Sequence, residues 1–340
     1  MKQAVLVILL VSVLLAGCRG REATPGPSTP TIPQSVSLEG LTVERYPTVD
    51  GSTSALPLQQ LVACHIFQVE CEWTEAFLFD ITRNLLPELG APFGEGEGDV
   101  QAVEYLFSLA HSGTHGAYMN LINGDAELIL VARQPSEDEF TAARKEGVVL
   151  DYRPVALDAF VFLVNQVNPI ESLETELIRD IYTGRLTDWS ELGVDLSVDG
   201  DGTIHTYRRN PNSGSQELME ALVMAGEEMI DSPDLLLYEM VGPFNAIDRD
   251  LLGIGYSVYY YATYMLPTET VRLVPVGGVL PTSETIADRS YPFVTEVYVV
   301  VRSGLPEDSQ ALQLRNWLLT ADGQAVVAQS GYVPVAENRE

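Results

Sequence analysis

Apolar residues in this chain fall into short unbroken runs, separated by stretches with helical spacing. Leu128 to Ala132 (Leu-Ile-Leu-Val-Ala), Ala159 to Val164 and Val297 to Val301 predict buried strands. Glu75 to Leu89, Glu217 to Ala225 and Ser309 to Leu319 predict amphipathic helices. Strand-like and helix-like runs alternate throughout, which predicts an α/β architecture. No internal repeat or heptad pattern interrupts it. The glycine-rich cluster Gly94 to Asp99 reads as a solvated turn. As an acidic calcium loop it lacks the Asp-x-Asp-x-Asp order of an EF-hand.

The N-terminal end has a different pattern. Lys2 precedes the almost wholly apolar run Ala4 to Ala16, whose 13 residues have the layout of a secretory signal. A membrane-spanning helix needs about 20, and no later apolar stretch is long enough either. Leu15-Ala16-Gly17-Cys18 resembles the lipobox of bacterial lipoproteins. That resemblance implies cleavage before Cys18, lipidation of Cys18 and an extracytoplasmic protein anchored to the cell membrane. An ordinary signal peptide with an incidental cysteine is the alternative. Residues 18–39, with Pro25, Pro27, Pro30 and Pro33 among Ser, Thr and Gly, read as a flexible tether. About 300 residues remain, enough for two domains of ordinary size.

With Cys18 lipidated, Cys64 and Cys71 are the remaining cysteines, and outside the cytoplasm a disulfide between them persists. Two buried free thiols are the alternative. A straight helix through both would hold them too far apart, so the pairing requires the chain to turn between them.

The net charge is −29, and Lys145 is the only lysine left once Lys2 is cleaved away. Nucleic acid is thereby excluded as a partner, because its capture needs basic surface. An anion is also repelled at long range, but salt screens that repulsion beyond about 10 Å. Capture of an anion must therefore rest on short-range donors inside a cleft.

Three segments have the chemistry for it. Asp50 to Pro57 (Asp-Gly-Ser-Thr-Ser-Ala-Leu-Pro), Ser112 to Gly116 (Ser-Gly-Thr-His-Gly) and Arg209 to Gln216 (Arg-Asn-Pro-Asn-Ser-Gly-Ser-Gln) each precede a helix candidate. The first turn of a helix offers unpaired amides and a partial positive charge. Glycine lets the backbone come close, and hydroxyls add donors. Arg209 adds a planar charged donor. Taken singly, each segment is also an ordinary helix cap.

Taken together, the ordered blocks resemble the phosphate-binding proteins of bacterial ABC importers, within the type II periplasmic-binding-protein family. Tyr46 to Thr53 looks like the first anion loop, Ala156 to Asn165 followed by Asn168-Pro169 like the crossover strand, and Arg209 to Ser215 like the third loop. Ile178 to Gly184 with Thr187-Asp188-Trp189, Gly253 to Tyr256 and Tyr291-Pro292 also fit, so the resemblance runs from about Tyr46 to Val335. It implies two α/β lobes, residues 40–155 with 292–340 and residues 156–291, around a central ligand cleft. The ligands it implies are Thr53 and Ser54, then Thr114, then Arg209, Ser213, Gly214 and Ser215. Ser52, His115 and Arg133 are further candidates. The family's phosphate binders place an aspartate after the strand that follows the second loop, where it accepts the proton of phosphate. Here that position is Arg133, which either faces the anion and favours a more highly charged species or lies at the surface. His115 either contacts the ligand or is structural.

The expectation is a monomeric solute-binding lipoprotein, without cofactor or metal, that captures phosphate for an ABC permease. The competing readings are a binder of sulfate or molybdate, and an extracellular sensor or adhesin on the same fold. Gly-x-Ser-x-Gly, His-Glu-x-x-His and the phosphate-binding loop ending in Gly-Lys-Ser/Thr are all absent, so no enzyme is expected. The tyrosines from Tyr256 to Tyr264 are expected in packing rather than in sugar binding.

Overall fold

The apolar runs become strands of one mixed sheet. A computed structural model describes residue 38 and residues 40–74, 82–87, 97–231 and 235–335. The leader, almost all of the tether and Cys18 lie outside the described residues. β1 (Val49–Gly51) leads through a 3-10 turn, Thr53–Ala55, into α1 (Leu56–Phe67). Next come β2 (Glu72–Trp73), β3 (Leu85–Leu86), α2 (Glu97–Ser108), α3 (Gly113–Asn123), β4 (Leu128–Val131) and α4 (Glu137–Glu146). The long strand β5 (Leu150–Asn165) is followed by α5 (Thr175–Tyr182), β6 (His205–Thr206), β7 (Arg208–Arg209) and α6 (Gly214–Met219), which continues as a π-helical turn to Met224. Then come β8 (Leu236–Leu237), α7 (Gly242–Arg249), β9 (Gly253–Val258), β10 (Val271–Val274), α8 (Ser283–Ala287), β11 (Val294–Arg302), α9 (Gln310–Leu318), α10 (Ala321–Gln329) and β12 (Val333–Pro334).

The main sheet runs β1-β4-β11-β5-β9-β6, with β10 and β12 also paired to β5. β5 is its spine and changes partner along its length. Leu150 to Ala159 pair antiparallel with β11, whereas Phe160 to Val164 pair antiparallel with β9. The parallel pair β1 and β4 belongs to the first half, and the parallel pair β6 and β9 to the second. One strand thus carries two half-sheets, the two-lobe type II arrangement. From Val155 to Asn165 every β5 residue is buried, which is why that stretch reads as one apolar run rather than an alternating one. Phe160 and Phe162 are fully enclosed, each contributing about 1.5–3 kcal/mol by leaving water. A second apolar cluster, with Tyr118, Leu121, Ile129 and Val300, packs α3 against β4 and β11.

Local signals place the helices. Ser309 caps α9 through the amide of Leu312, and Ser136 with Glu139 closes a capping box on α4. α1 stops at Phe67, where Gln68 takes the left-handed conformation at φ 58°. The chain then turns back and brings Cys71 within 6.2 Å of Cys64, Cα to Cα, to form a disulfide.

Two expectations need correction. The helix read over Glu75 to Leu89 is not helical in its described part, since Leu85–Leu86 is a strand paired with Glu72–Trp73. The Leu85 amide donates to the side-chain carbonyl of Gln60 at 3.0 Å, so tertiary partners override the helical spacing. Residues 75–81 and 88–89 lie outside the described residues. Of the turn read over Gly94 to Asp99, residues 97–99 begin α2, and residues 94–96 lie outside the described residues. Among the described residues no helix is long and apolar enough to cross a membrane.

Candidate functional site

The three Gly/Ser/Thr segments meet. One cavity of about 1050 Å³ is lined by Ser52, Thr53 and Ser54 of the first, Ser112 to Gly116 of the second and Arg209 to Ser215 of the third. The first two segments belong to the β1–β4 half of the sheet and the third to the β9 half, so the cavity opens between the halves. α1, α3 and α6 all begin at its wall, which concentrates unpaired helix-start amides there.

Buried side chains hold the segments in register. Asp50 is 2% exposed. Its Oδ1 accepts from the Gly51 amide at 2.7 Å and the Ser112 amide at 2.9 Å, and its Oδ2 accepts from Asn120 Nδ2 at 2.6 Å. One carboxylate therefore ties the first segment to the second. Tyr332 donates to the Ser54 carbonyl at 2.9 Å, fixing the first segment from the C-terminal side. The second and third segments touch at Gly214, where a Cβ would lie 2.7 Å from Thr114 Oγ1. Only glycine permits that approach. Gly113 holds φ at +80°, also glycine territory. Ser213 caps α6, its Oγ accepting from the Gln216 amide at 3.2 Å.

Arg209 is the main electrostatic feature. It is 6% exposed, and among the described residues it has no carboxylate partner within ion-pair distance. Its Nε donates to the Leu237 carbonyl at 3.2 Å, its Nη2 to the Tyr238 carbonyl at 3.3 Å and its Nη1 to Met240 Sδ at 3.4 Å. These are long, neutral acceptors for a charged donor. Burial pushes its pKa down, only partly offset by Tyr256, Tyr261 and Glu239. A buried charge without a counterion costs several kcal/mol, and this one faces a cavity. Glu239, an exposed residue, is the single carboxylate among the described lining residues.

Arg133 behaves differently. It is buried at 7% exposure, is not among the residues lining the cavity, and forms a fork with Glu139. Nη1 to Oε2 is 2.8 Å and Nη2 to Oε1 is 2.9 Å. Its guanidinium also lies over the Tyr118 ring at 5.8 Å. Burial alone would lower its pKa, but the hydrogen bonds and charge of Glu139 outweigh burial and raise it. Arg133 is thus neither a surface residue nor a cavity donor. His115 does line the cavity, with Nδ1 3.0 Å from Glu139 Oε1.

Several positioning residues carry no motif in the sequence. Tyr256 accepts from the Arg209 amide at 3.0 Å and donates to Gln216 Oε1, so it fixes both ends of the third segment. Tyr260 is buried and stacks on Tyr332 at 3.6 Å, in keeping with packing, while Tyr261 reaches the cavity wall.

The PBP superfamily domain matches residues 88–322. The chain belongs to the PBP superfamily. Among similar proteins of this superfamily, the phosphate-binding protein PstS of Pseudomonas aeruginosa is 27% identical over 242 residues, covering 66% of this chain and 72% of that one. A solved Clostridium perfringens structure, described as a phosphate ABC transporter substrate-binding protein with bound phosphate, superposes with a TM-score of 0.60. It is 20% identical and covers 85% of this chain and 98% of its own. An ABC-type phosphate transport receptor from Vibrio cholerae gives 0.56 at 18% identity, over 84% and 99%. At these identities the superpositions speak for the superfamily fold, and the chemistry must be argued from the residues of this chain.

Proposed function

We propose that this chain is an extracytoplasmic solute-binding protein that captures a small oxyanion, phosphate foremost, and presents it to an ABC permease. The observation that carries this is Arg209, a buried guanidinium with only neutral partners, set where three helix starts converge on one cavity. A tetrahedral anion there receives amides and hydroxyls from both halves of the sheet and supplies the missing countercharge. The family assignment and the phosphate-binding names of its relatives support the same reading.

In this reading residues 40–155 with 292–340 and residues 156–291 are the two lobes. An anion touching both favours the closed arrangement, because only that arrangement makes all the contacts. The ligand set is Thr53, Ser54, Thr114, Arg209, Ser213, Gly214 and Ser215, with Ser52 beside them. Cys18 carries the lipid anchor and the chain works as a monomer. It performs no chemistry, so no residue is assigned a catalytic role. Isothermal titration with phosphate, sulfate, molybdate and arsenate tests the proposal: micromolar or tighter binding of phosphate is expected, and silence towards all four defeats it.

A further inference from the structure

His115 sits in the first turn of α3, next to Thr114, and its ring is 34% exposed at the cavity while its partner Glu139 is fully buried. Glu139 already accepts from both Arg133 nitrogens and, through Oε2, from the Ser136 amide at 2.8 Å. All three contacts, two from the guanidinium and one from the amide, are donors, so Glu139 stands as an acceptor towards His115 as well. The 3.0 Å contact therefore requires the proton on His115 Nδ1. In the neutral ring that leaves a lone pair on Nε2, on the side of the ring turned away from Glu139. Among the described residues Nε2 has no hydrogen-bond partner.

This matters because most of the groups assigned to the anion donate, and the one carboxylate among the described lining residues, Glu239, is exposed. Amides and the Arg209 guanidinium cannot accept, and Ser213 Oγ already accepts from an amide. Hydrogen phosphate brings an O–H that needs an acceptor, whereas sulfate brings none. We propose that His115 Nε2 accepts the proton of bound hydrogen phosphate and so discriminates phosphate from sulfate, with the Arg133–Glu139 pair fixing the tautomer from behind. This rests on the oxyanion reading above. It also gives Arg133 a role at one remove, as the group whose two donors fix Glu139 as an acceptor behind His115.

The test is titration of wild type, His115→Leu and His115→Gln with inorganic phosphate and with sulfate in mildly alkaline buffer, with melting curves to confirm folding. The leucine variant is expected to weaken phosphate about tenfold while changing sulfate less than about threefold, the cost of leaving one ligand donor unpaired. The glutamine variant, whose amide oxygen accepts, is expected to recover part of the phosphate preference. A phosphate-to-sulfate ratio within about twofold of wild type in the leucine variant overturns the inference and leaves the oxyanion reading standing. A wild type that binds phosphate no better than sulfate does the same, whereas a wild type that binds neither anion overturns both.

Discussion

Two buried arginines stand near the cavity and have opposite fates. Arg133 forks onto Glu139, stacks over Tyr118 and stays out of the cavity wall. Arg209 is as deeply buried, yet its guanidinium donates only to two carbonyls and a thioether among the described residues. A guanidinium whose charge is answered inside the protein is part of the scaffold. One whose charge is left unanswered beside a cavity is poised for a ligand. On the proposed reading, that contrast is what distinguishes Arg209 as the anion's partner from Arg133 as scaffold.

The difference is open to direct attack. Arg133→Met should have the largest effect, lowering unfolding stability by about 3–5 kcal/mol because it strands Glu139 as a buried charge. Urea unfolding measures it, and unchanged stability would mean the fork is not what holds this corner together. A third buried ionisable group, Asp158, sharpens the point. It is 2% exposed, accepts the Ala159 and Tyr260 amides through Oδ1, and has no partner at Oδ2 among the described residues. Burial raises its pKa to about 7, against the lowering pull of those two amides. The folded state therefore holds a proton that the unfolded chain has already lost, and stability falls as pH rises from about 4 to about 7. Asp158→Asn should flatten that decline by a few kcal/mol, read from unfolding at about pH 5 and about pH 8; an unaltered slope would place the titration elsewhere.

Arg209→Met should cost about a hundredfold in phosphate affinity, roughly 2.7 kcal/mol. Without ligand its stability should hold or rise, since an unpaired buried charge has been removed. Destabilisation without loss of affinity would reverse the roles assigned to the two arginines. Gly214→Ala should cost about tenfold in affinity by pushing the third segment off Thr114, with a smaller effect on folding. Parallel titrations compare the two variants.

Much of this was legible in the sequence. The strands read over Leu128 to Ala132, Ala159 to Val164 and Val297 to Val301 are apolar runs because every residue in them is buried. The three segments announce themselves through glycine and hydroxyls before helices, a purely local signal, and Arg209 lies inside one of them. Arg133 was not legible in the same way. Its role depends on Glu139, six residues on, being folded back onto it by the turn into α4. Tyr256 and Tyr332 act on the loops across 47 and 278 residues respectively, and no spacing rule reaches that far. Leu85–Leu86 has helical spacing but forms a strand, because its fate is set by pairing with Glu72–Trp73.

The most direct test of the account is a crystal structure with phosphate bound. The anion is expected in the shared cavity, with the Arg209 guanidinium swung from the Leu237 and Tyr238 carbonyls to within about 2.7–2.9 Å of a phosphate oxygen. Phosphate bound elsewhere, or Arg209 still on those carbonyls beside an occupied cavity, would contradict it.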